Sequence, residues 1–326
     1  LKQMSDQPSQ DLKPQKRFTT ILLRCITALT ITVIFAVAGS YFGYQKYVIK
    51  SPGEHISSKY INSIMTQESP ILYKDGEELG MLYENKYRIY IPYEDIPEGW
   101  VQALVAVEDQ AFYDHHGINP YNIIGSMVAN IKAGRIVRGG STLTQQTAKN
   151  LYNRGKRVEE NQVKITEYLQ KKERLKQENR KQVENINLVA KIEAKLWEML
   201  NALRLDYHHS KEDILEYYAN QIPIRGQGTG IAIAAKYFFD KEVKDLTLHE
   251  CIFLAIIPKG PENYNPFTGV REEKIEKITG RMQAALNNMV EMGYLNEEQR
   301  DELYFKELQF KHGKFHFERN MLIDIV

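Results

Sequence analysis

The stretch VQALVAVEDQAFYDHHG, residues 101–117, is the part of the sequence that decides how this chain folds. At helical spacing its apolar residues fall on one stripe, and Glu108 falls on that same stripe. A carboxylate on an apolar face is costly to ionise unless a partner compensates. Two interpretations stay open at this point. Glu108 is a structural acid satisfied by a cation or a backbone donor, or its burial tunes it for moving protons. The stripe consists of Val101, Leu104, Val105, Ala111 and Phe112.

The size and composition of the chain limit the classes of protein to which it can belong. Its 326 residues are enough for one large domain or two smaller ones. Because 43 Lys and Arg face 42 Asp and Glu, the overall charge gives no argument for nucleic-acid binding. Cys25 lies in an apolar run and Cys251 in a distant apolar helix, so we predict no disulfide between them.

The N-terminal part predicts a membrane anchor. Residues 1–20 are polar and basic and indicate a disordered cytoplasmic tail. Residues 25–44 carry no charge and are long enough to cross a bilayer, which places the anchor at 21–47. The excess of Lys and Arg before this run puts the N-terminus in the cytoplasm and the rest outside. A cleaved signal peptide is the alternative, but SYFGY at 40–44 is a poor cleavage site.

After a linker at 48–70, one domain over 71–326 is expected, with a small antiparallel β element first and helices afterwards. Residues 153–187 are rich in charges of both signs and predict a solvated helix or helical hairpin inserted in this domain. The next helix is expected to bury an apolar stripe. Its members are Ile192, Leu196, Met199, Leu200 and Leu203.

The segment GGSTLTQQTAK, residues 139–149, could bind an anion. Two glycines precede a helix whose first N–H groups lie at its positive end, and Thr142 with Gln145 fits the capping-box spacing. Ser141, Gln145 and Lys149 follow one another at four-residue spacing and combine a hydroxyl, an amide and a cation. Taken alone, the pattern favours an ordinary capped surface helix over an anion site.

The segment KLWE, residues 195–198, offers a second carboxylate. Glu198 lies off the leucine stripe, so a solvated pair of Lys195 with Glu198 is the simple interpretation. The His residues after Glu108 do not have the spacing of a metal site.

Taken together, these segments resemble the family 51 glycosyltransferases. EDQAFYDHHG at 108–117, GGSTLTQQTAKNL at 139–151, KLWE at 195–198 and ILEYYANQI at 214–222 occur in the order of that family's motifs. LTLHECIFLAIIPKGPENYNPF at 246–267 matches a further family segment. The resemblance covers about 70–326 and implies a mainly α, lysozyme-like glycosyltransferase domain with a small β lead-in, preceded here by one transmembrane helix.

The resemblance also implies an activity, in which lipid II is polymerised into peptidoglycan with inversion and undecaprenyl pyrophosphate is released. Glu108 matches the catalytic base, and a carboxylate on an apolar stripe suits that role. Asp109 matches an orienting acid, while Phe112 and His115 complete the first motif. The residues that match the donor-binding motif are Ser141, Thr142, Gln145, Gln146 and Lys149.

The third motif departs from the family pattern RKxxE, because Ala194 stands where the Arg is expected. Lys195 matches the motif's Lys, and the spacing onward favours Glu198 over Glu193 as its Glu. Glu198 would assist the leaving pyrophosphate, directly or through a divalent metal such as Mg²⁺ or Mn²⁺, although no cofactor is obligatory. The charged segment 153–187 is a second departure, and PIRGQGTGI at 223–231 is a third.

The expected partners are lipid II, the growing glycan and the bacterial cytoplasmic membrane, and other cell-wall synthesis or division proteins could join them. The chain contains no S-x-x-K or K-T-G, so a transpeptidase half is not expected within it, and its final residues resemble the junction into such a half. Two alternatives stay open. One is a catalytically weak or inactive membrane-anchored cell-wall scaffold, and the other is a lysozyme-like glycan hydrolase.

Overall fold

The structure is a computed structural model that describes residues 13–65, 68–72, 78–83, 88–135, 139–152, 180–224, 228–304 and 307–313. The chain divides into two compact units, Leu1–Pro52 and Gly53–Val326. The second unit is mainly helical with little β structure, as predicted.

The first unit is helical. Helix α1 spans Lys13–Tyr44, and a π-helical segment, Gln45–Lys50, continues it. Within the described residues, Ile21–Lys50 is long and apolar enough to cross a membrane. The helix begins inside the segment predicted as a disordered tail, because Lys, Gln and Arg are good helix formers and extend a helix that the apolar run has started.

The start of the second unit is more ordered than the predicted linker. A 3₁₀ turn, Glu54–Ile56, and helix α2, Ser58–Met65, bury Ile56, Ile61 and Met65. Three buried apolar side chains hold this segment against the domain, so the linker prediction is wrong for these residues. The predicted β element is present, with β1, Glu68–Leu72, antiparallel to β2, Glu78–Tyr83.

The described body of the unit consists mainly of helices. A second small hairpin pairs β3, Pro223–Ile224, with β4, Gly228–Thr229. The predicted helix or hairpin over 153–187 lies outside the described residues except for 180–187, which belong to α6. The helices are α3 (Glu98–Glu108), α4 (Pro120–Ala133), α5 (143–152), α6 (Arg180–His208), α7 (Lys211–Ala219), α8 (Ile231–Phe239), α9 (Leu248–Ile256), α10 (Arg271–Glu291) and α11 (Glu297–Tyr304).

Helix α9 is the centre of the core. Its residues from His249 to Ile256 are buried, and it packs against α3 while α10 packs against both. A capping box between Thr247 and Glu250 fixes where α9 begins, and Lys241 forms an ion pair with the same carboxylate at 2.8 Å. A buried helix that is apolar all round therefore supports the end of α3, which carries Glu108.

Two helical predictions need correction. The stripe over 101–117 is not one helix, because α3 ends at Glu108 and Asp109 has φ −160° and ψ 77°. Phe112 is buried, but from a turn rather than from the helix. The stripe predicted for α6 is also wrong, since Ile192 and Leu196 are 52% and 60% exposed. Periodicity predicts which residues of a helix share a face, but it does not predict how much of that face the domain buries.

The cysteine prediction is confirmed. Cys25 is exposed in α1, Cys251 is buried in α9, and neither forms a disulfide.

Candidate active site

Glu108 is the last residue of α3, and its side chain is 11% exposed. One carboxylate oxygen, Oε2, accepts a hydrogen bond from Gln146 Nε2 at 3.1 Å. The other, Oε1, lies 3.4 Å from Arg281 Nη2 on α10. The carboxylate is therefore nearly buried but held by a neutral donor and a cation, which satisfy its charge while leaving part of it accessible.

The end of α3 is fixed from behind. Asn288 Nδ2 on α10 donates to the carbonyl of Ala106 at 2.9 Å, so one of the last carbonyls of the helix has a partner. Trp100 and Leu104, both fully buried, fix the same helix in the core. The backbone that carries Glu108 is thus positioned by packing rather than by a flexible loop.

Asp109 connects the turn after α3 to the beginning of α5. Its Oδ2 accepts from His115 Nε2 at 2.8 Å and from the backbone N–H of Leu143 at 2.9 Å. Asp109 and His115 are both buried. Since the N–H groups at a helix N-terminus attract negative charge, this carboxylate holds α5 against the turn. Asp109 and His115 therefore orient Glu108 and Gln146 relative to each other.

The same turn is held on its other side by Lys211. The Lys211 ammonium donates to the carbonyl of His115 at 2.8 Å and to Asp206 at 2.6 Å, and it lies 4.6 Å from the centre of the Phe112 ring. Phe112 is fully buried. The first motif is thus a compact turn between α3 and α4 that hydrogen bonds join to Leu143 on α5 and to Lys211 on α7.

The N-terminus of α5 carries the predicted capping box. The backbone N–H of Gln145 donates to Thr142 Oγ1 at 3.1 Å, and Gln145 Oε1 accepts from the backbone N–H of Thr142 at 2.9 Å. Thr142 Oγ1 also donates to the carbonyl of Gly117 at 2.7 Å. Because both side chains are buried and used inside the protein, they position α5. Their predicted contact with a substrate stays a prediction.

Gly140 allows this helix start to approach α4 closely. A Cβ at Gly140 would lie 2.4 Å from Ser126 Oγ, a distance that no side chain tolerates. Gly117 is required for a similar reason, since it has φ +83° and a Cβ would lie 2.4 Å from the carbonyl oxygen of Ala202. Ser141, Gln145 and Lys149, which follow one another at four-residue spacing, differ in exposure, because Gln145 turns inward while Lys149 is exposed.

The third motif brings a cation to the α5 N-terminus. Lys195 Nζ donates to Ser141 Oγ at 2.7 Å and also to Glu198 Oε1, whose side chain is 10% exposed. The structure thus joins Ser141 to the pair of Lys195 and Glu198, which lies more than fifty residues later in the sequence. Ala194, at the position of the missing Arg, is exposed.

The residues around Glu198 do not fit a metal site by themselves. A metal needs several carboxylate or imidazole ligands, and the described residues contain no group of three or more such side chains that could hold one. Glu198 is instead paired with the Lys195 ammonium, which disfavours a second cation. We therefore derive no step through a metal.

Sequence reasoning missed two residues that contact the Glu108 cluster. Arg281 lies in α10 directly before the buried Met282, and a cation at the edge of an apolar helix stripe was the available signal. Tyr218 on α7 donates to Gln146 Oε1 at 3.3 Å from a buried position. Its motif, ILEYYANQI, gave no indication that this hydroxyl points toward Glu108.

Arg281 is one of the residues that line an open groove. Its lining combines cationic, amide and aromatic side chains, which is suitable for a sugar that carries charged groups. Arg281 thus connects the groove to Glu108, whose Oε1 lies 3.4 Å from the guanidinium. The lining residues are Asn263, Tyr264, Lys277, Gly280, Arg281 and Ala284.

Comparison with known proteins agrees with the sequence resemblance. A family model described as Transglycosylase matches residues 75–290. Penicillin-binding protein 1A of Aquifex aeolicus is 34% identical over 224 residues, which are 69% of this chain and 26% of that protein. Penicillin-binding protein 1A of Clostridium perfringens (strain ATCC 13124) is 31% identical over 307 residues, which are 91% of this chain and 32% of that protein.

The chain therefore spans about a quarter to a third of the length of these curated relatives. A crystal structure of penicillin-binding protein 1A from Haemophilus influenzae matches with a TM-score of 0.36 and 18% identity, and the match covers 76% of this chain and 22% of that one.

Proposed function

This chain belongs to the transglycosylase family, and from that membership we propose that it is a peptidoglycan glycosyltransferase that polymerises lipid II. The 4-hydroxyl of the acceptor sugar attacks the reducing-end carbon of the growing glycan, which is attached to a lipid pyrophosphate. The new glycosidic bond forms as the bond to the pyrophosphate breaks, and configuration at that carbon inverts. The hydroxyl proton passes to an enzyme carboxylate, and undecaprenyl pyrophosphate leaves.

The observation that carries the proposal is the placement of Glu108. Its carboxylate matches the family's base, is 11% exposed, and lies 3.4 Å from the guanidinium of Arg281, which together with Lys277 lines an open groove. Gln146 and Arg281 fix its orientation, so the remaining lone pairs of the carboxylate can meet an acceptor hydroxyl without rearrangement.

The leaving pyrophosphate is assigned to the other side of α5. The Lys195 ammonium and the Ser141 hydroxyl lie at the N-terminus of α5, where developing negative charge is stabilised, and the exposed Lys149 lies further along the same helix. Glu198 holds the Lys195 ammonium in place. Helix α5 would then contribute residues both to proton removal, through Gln146, and to departure of the pyrophosphate, through its N-terminus.

A membrane location supports the choice of a lipid-linked donor. The apolar span Ile21–Lys50 would anchor the protein, with the basic N-terminal residues in the cytoplasm and the second unit outside. A bilayer-bound enzyme meets a bilayer-bound donor by lateral diffusion. The lipid, the growing glycan and cell-wall synthesis proteins are the proposed partners.

One assay separates this function from its alternatives. The purified full chain is incubated in detergent with labelled lipid II and, separately, with finished glycan. Polymer from the wild type but not from Glu108→Gln supports the transferase. Cleavage of finished glycan without polymer would replace the proposal by a hydrolase, and neither activity would replace it by a scaffold.

A further inference from the structure

We propose that the Tyr218 hydroxyl is a positioning group for the Glu108 carboxylate and acts on it through the Gln146 amide. The inference rests on the proposed function, since it concerns the base of that reaction. Tyr218 Oη donates to Gln146 Oε1 at 3.3 Å, and Gln146 Nε2 donates to Glu108 Oε2 at 3.1 Å. Three helices, α7, α5 and α3, thus meet in one chain of hydrogen bonds that ends on the carboxylate.

The direction of the chain is decided by chemistry. An ionised carboxylate can only accept, whereas a phenol hydroxyl can donate or accept. If the Gln146 amide turned over, its oxygen would face the carboxylate oxygen and repel it. The carboxylate therefore decides that the amide N–H points at Glu108, and the Tyr218 hydroxyl donates to the amide oxygen that this orientation presents. Tyr218 thus holds the Gln146 side chain in the place where it supports the base.

Tyr218 keeps its proton for this task. Burial raises the pKa of the Tyr218 hydroxyl well above its ordinary value, and the nearby negative charge of Glu108 raises it further. The hydroxyl consequently remains a donor over the whole working range of pH. The charged and titratable groups that face Glu108 are this hydroxyl from α7 and the Arg281 guanidinium from α10, while Gln146 from α5 is neutral.

Tyr218 is itself held rigidly. Its side chain is 3% exposed, and its ring lies 6.4 Å from the ring of the fully buried Trp100 on α3. Helix α7 begins with a capping box between Ser210 and Asp213, which fixes its N-terminus. Because the Tyr218 side chain is packed in the core, its hydroxyl keeps a fixed position. A group that positions a catalytic side chain must itself be held in this way.

Both polar atoms of the Gln146 amide form hydrogen bonds. Its oxygen accepts from Tyr218 and its nitrogen donates to Glu108. The assignment changes the role expected for Gln146 from the sequence, where it was expected to hold donor sugars. It becomes a link between a core tyrosine and the base.

The test compares Tyr218→Phe with Tyr217→Phe. The neighbouring Tyr217 hydroxyl lies 3.2 Å from His209 Nδ1, away from Glu108, so it is a matched control. Loss of one net hydrogen bond predicts that Tyr218→Phe lowers kcat/KM about two- to tenfold. Since an ionised carboxylate loses a fixed donor, the acidic limb of the pH profile should move to higher pH. Tyr217→Phe should leave that limb in place.

A double-mutant cycle tests whether Tyr218 acts through Gln146. In the Gln146→Met background, Tyr218→Phe should produce no further loss of kcat/KM and no further movement of the limb. Losses that multiply, or a loss of rate without movement of the acidic limb, would overturn the proposal. Equal lipid II affinity and melting temperature in Tyr218→Phe and the wild type are expected alongside.

A readout that needs no activity separates this inference from the proposed function. With ¹³C-labelled glutamate, the carboxyl signal absent from Glu108→Gln is followed against pH in the full chain. A higher titration midpoint in Tyr218→Phe than in the wild type supports the inference even if no polymer is made. Equal midpoints would refute it even if polymer is made.

Discussion

The two ends of the candidate site are built differently. Glu108 ends a buried helix, and two donors from α5 and α10 hold its carboxylate. The Lys195–Glu198 pair lies on α6, where Ile192 and Leu196 nearby are exposed. The proposed base is therefore positioned by the core of the domain, whereas the proposed leaving-group end depends on a few polar contacts.

Two of the three departures from the family pattern lie in or before α6, which carries the second end, and the third, at 223–231, includes the β3–β4 hairpin. Ala194 replaces an Arg directly beside Lys195, and the charged segment 153–187 leads into the same helix. Around Glu108, in contrast, the motif residues are present and joined by hydrogen bonds. The proposed proton-transfer end therefore keeps the family's motif residues, whereas the proposed donor end departs from the pattern at Ala194. Four substitutions test that difference.

The largest effect is expected from Glu108→Gln. The amide cannot take a proton, so kcat should fall by about 10² to 10⁴, while lipid II affinity and the melting temperature stay close to those of the wild type. Polymerisation of labelled lipid II measures the loss. Glu98→Gln is the control on the same helix, since Glu98 is exposed and interacts with Gln102. A comparable loss in both variants would contradict the assignment.

Glu198→Gln should have the next largest effect. Removing its charge loosens the Lys195 ammonium from the α5 N-terminus, and a charge-assisted hydrogen bond corresponds to a loss of roughly 10- to 100-fold in kcat/KM. Glu193→Gln is the matched control, because Glu193 is an exposed carboxylate on the same helix. A larger loss from Glu193→Gln would mean that the second carboxylate has been assigned to the wrong residue.

Ala194→Arg should improve the donor end modestly. An exposed cation beside Lys195 would attract a pyrophosphate. From the usual strength of exposed ion pairs, KM should decrease by about two- to fivefold. The decrease should be smaller at high salt, because salt screens exposed charges. Ala194→Gln has a similar length without charge. If both variants lower KM equally, charge is not what the donor end lacks.

The smallest effect is expected from a substitution at the N-terminus of α5, the helix that contributes residues to both ends of the candidate site. Thr142→Ala removes the capping hydroxyl and should lower stability by about 1 kcal/mol, which corresponds to a decrease in Tm of roughly 2–4 °C. Thr142→Ser keeps the hydroxyl and should melt within about 1 °C of the wild type. Thermal melting of the three proteins gives the answer, and an unchanged Tm in Thr142→Ala would show that the capping box does not stabilise the helix.

Much of the fold follows from local patterns in the sequence. The β1–β2 hairpin, the capping box of α5 and the apolar helix α9 were all predictable, because each depends on residues within a few positions of one another. The end of α3 at Glu108 was not. The break is made by Asp109, whose carboxylate contacts a backbone group thirty-four residues later. A local pattern contains no such contact.

The site was predictable to a similar extent. Family resemblance identified Glu108, Lys195 and Glu198, because those positions match motifs. It did not identify Arg281 or Tyr218, since the roles of these residues come from distances across the fold. The inward position of Gln145 was missed for the same reason, because helical spacing alone does not distinguish a capping side chain from an accessible one.

The pH dependence of polymerisation tests the central claim most directly, because it reports the base itself. A carboxylate base works only when ionised, so the wild-type kcat/KM should fall tenfold for each pH unit below its acidic limb. The residual activity of Glu108→Gln should lack that limb. An acidic limb of equal slope and position in both proteins would show that Glu108 is not the base.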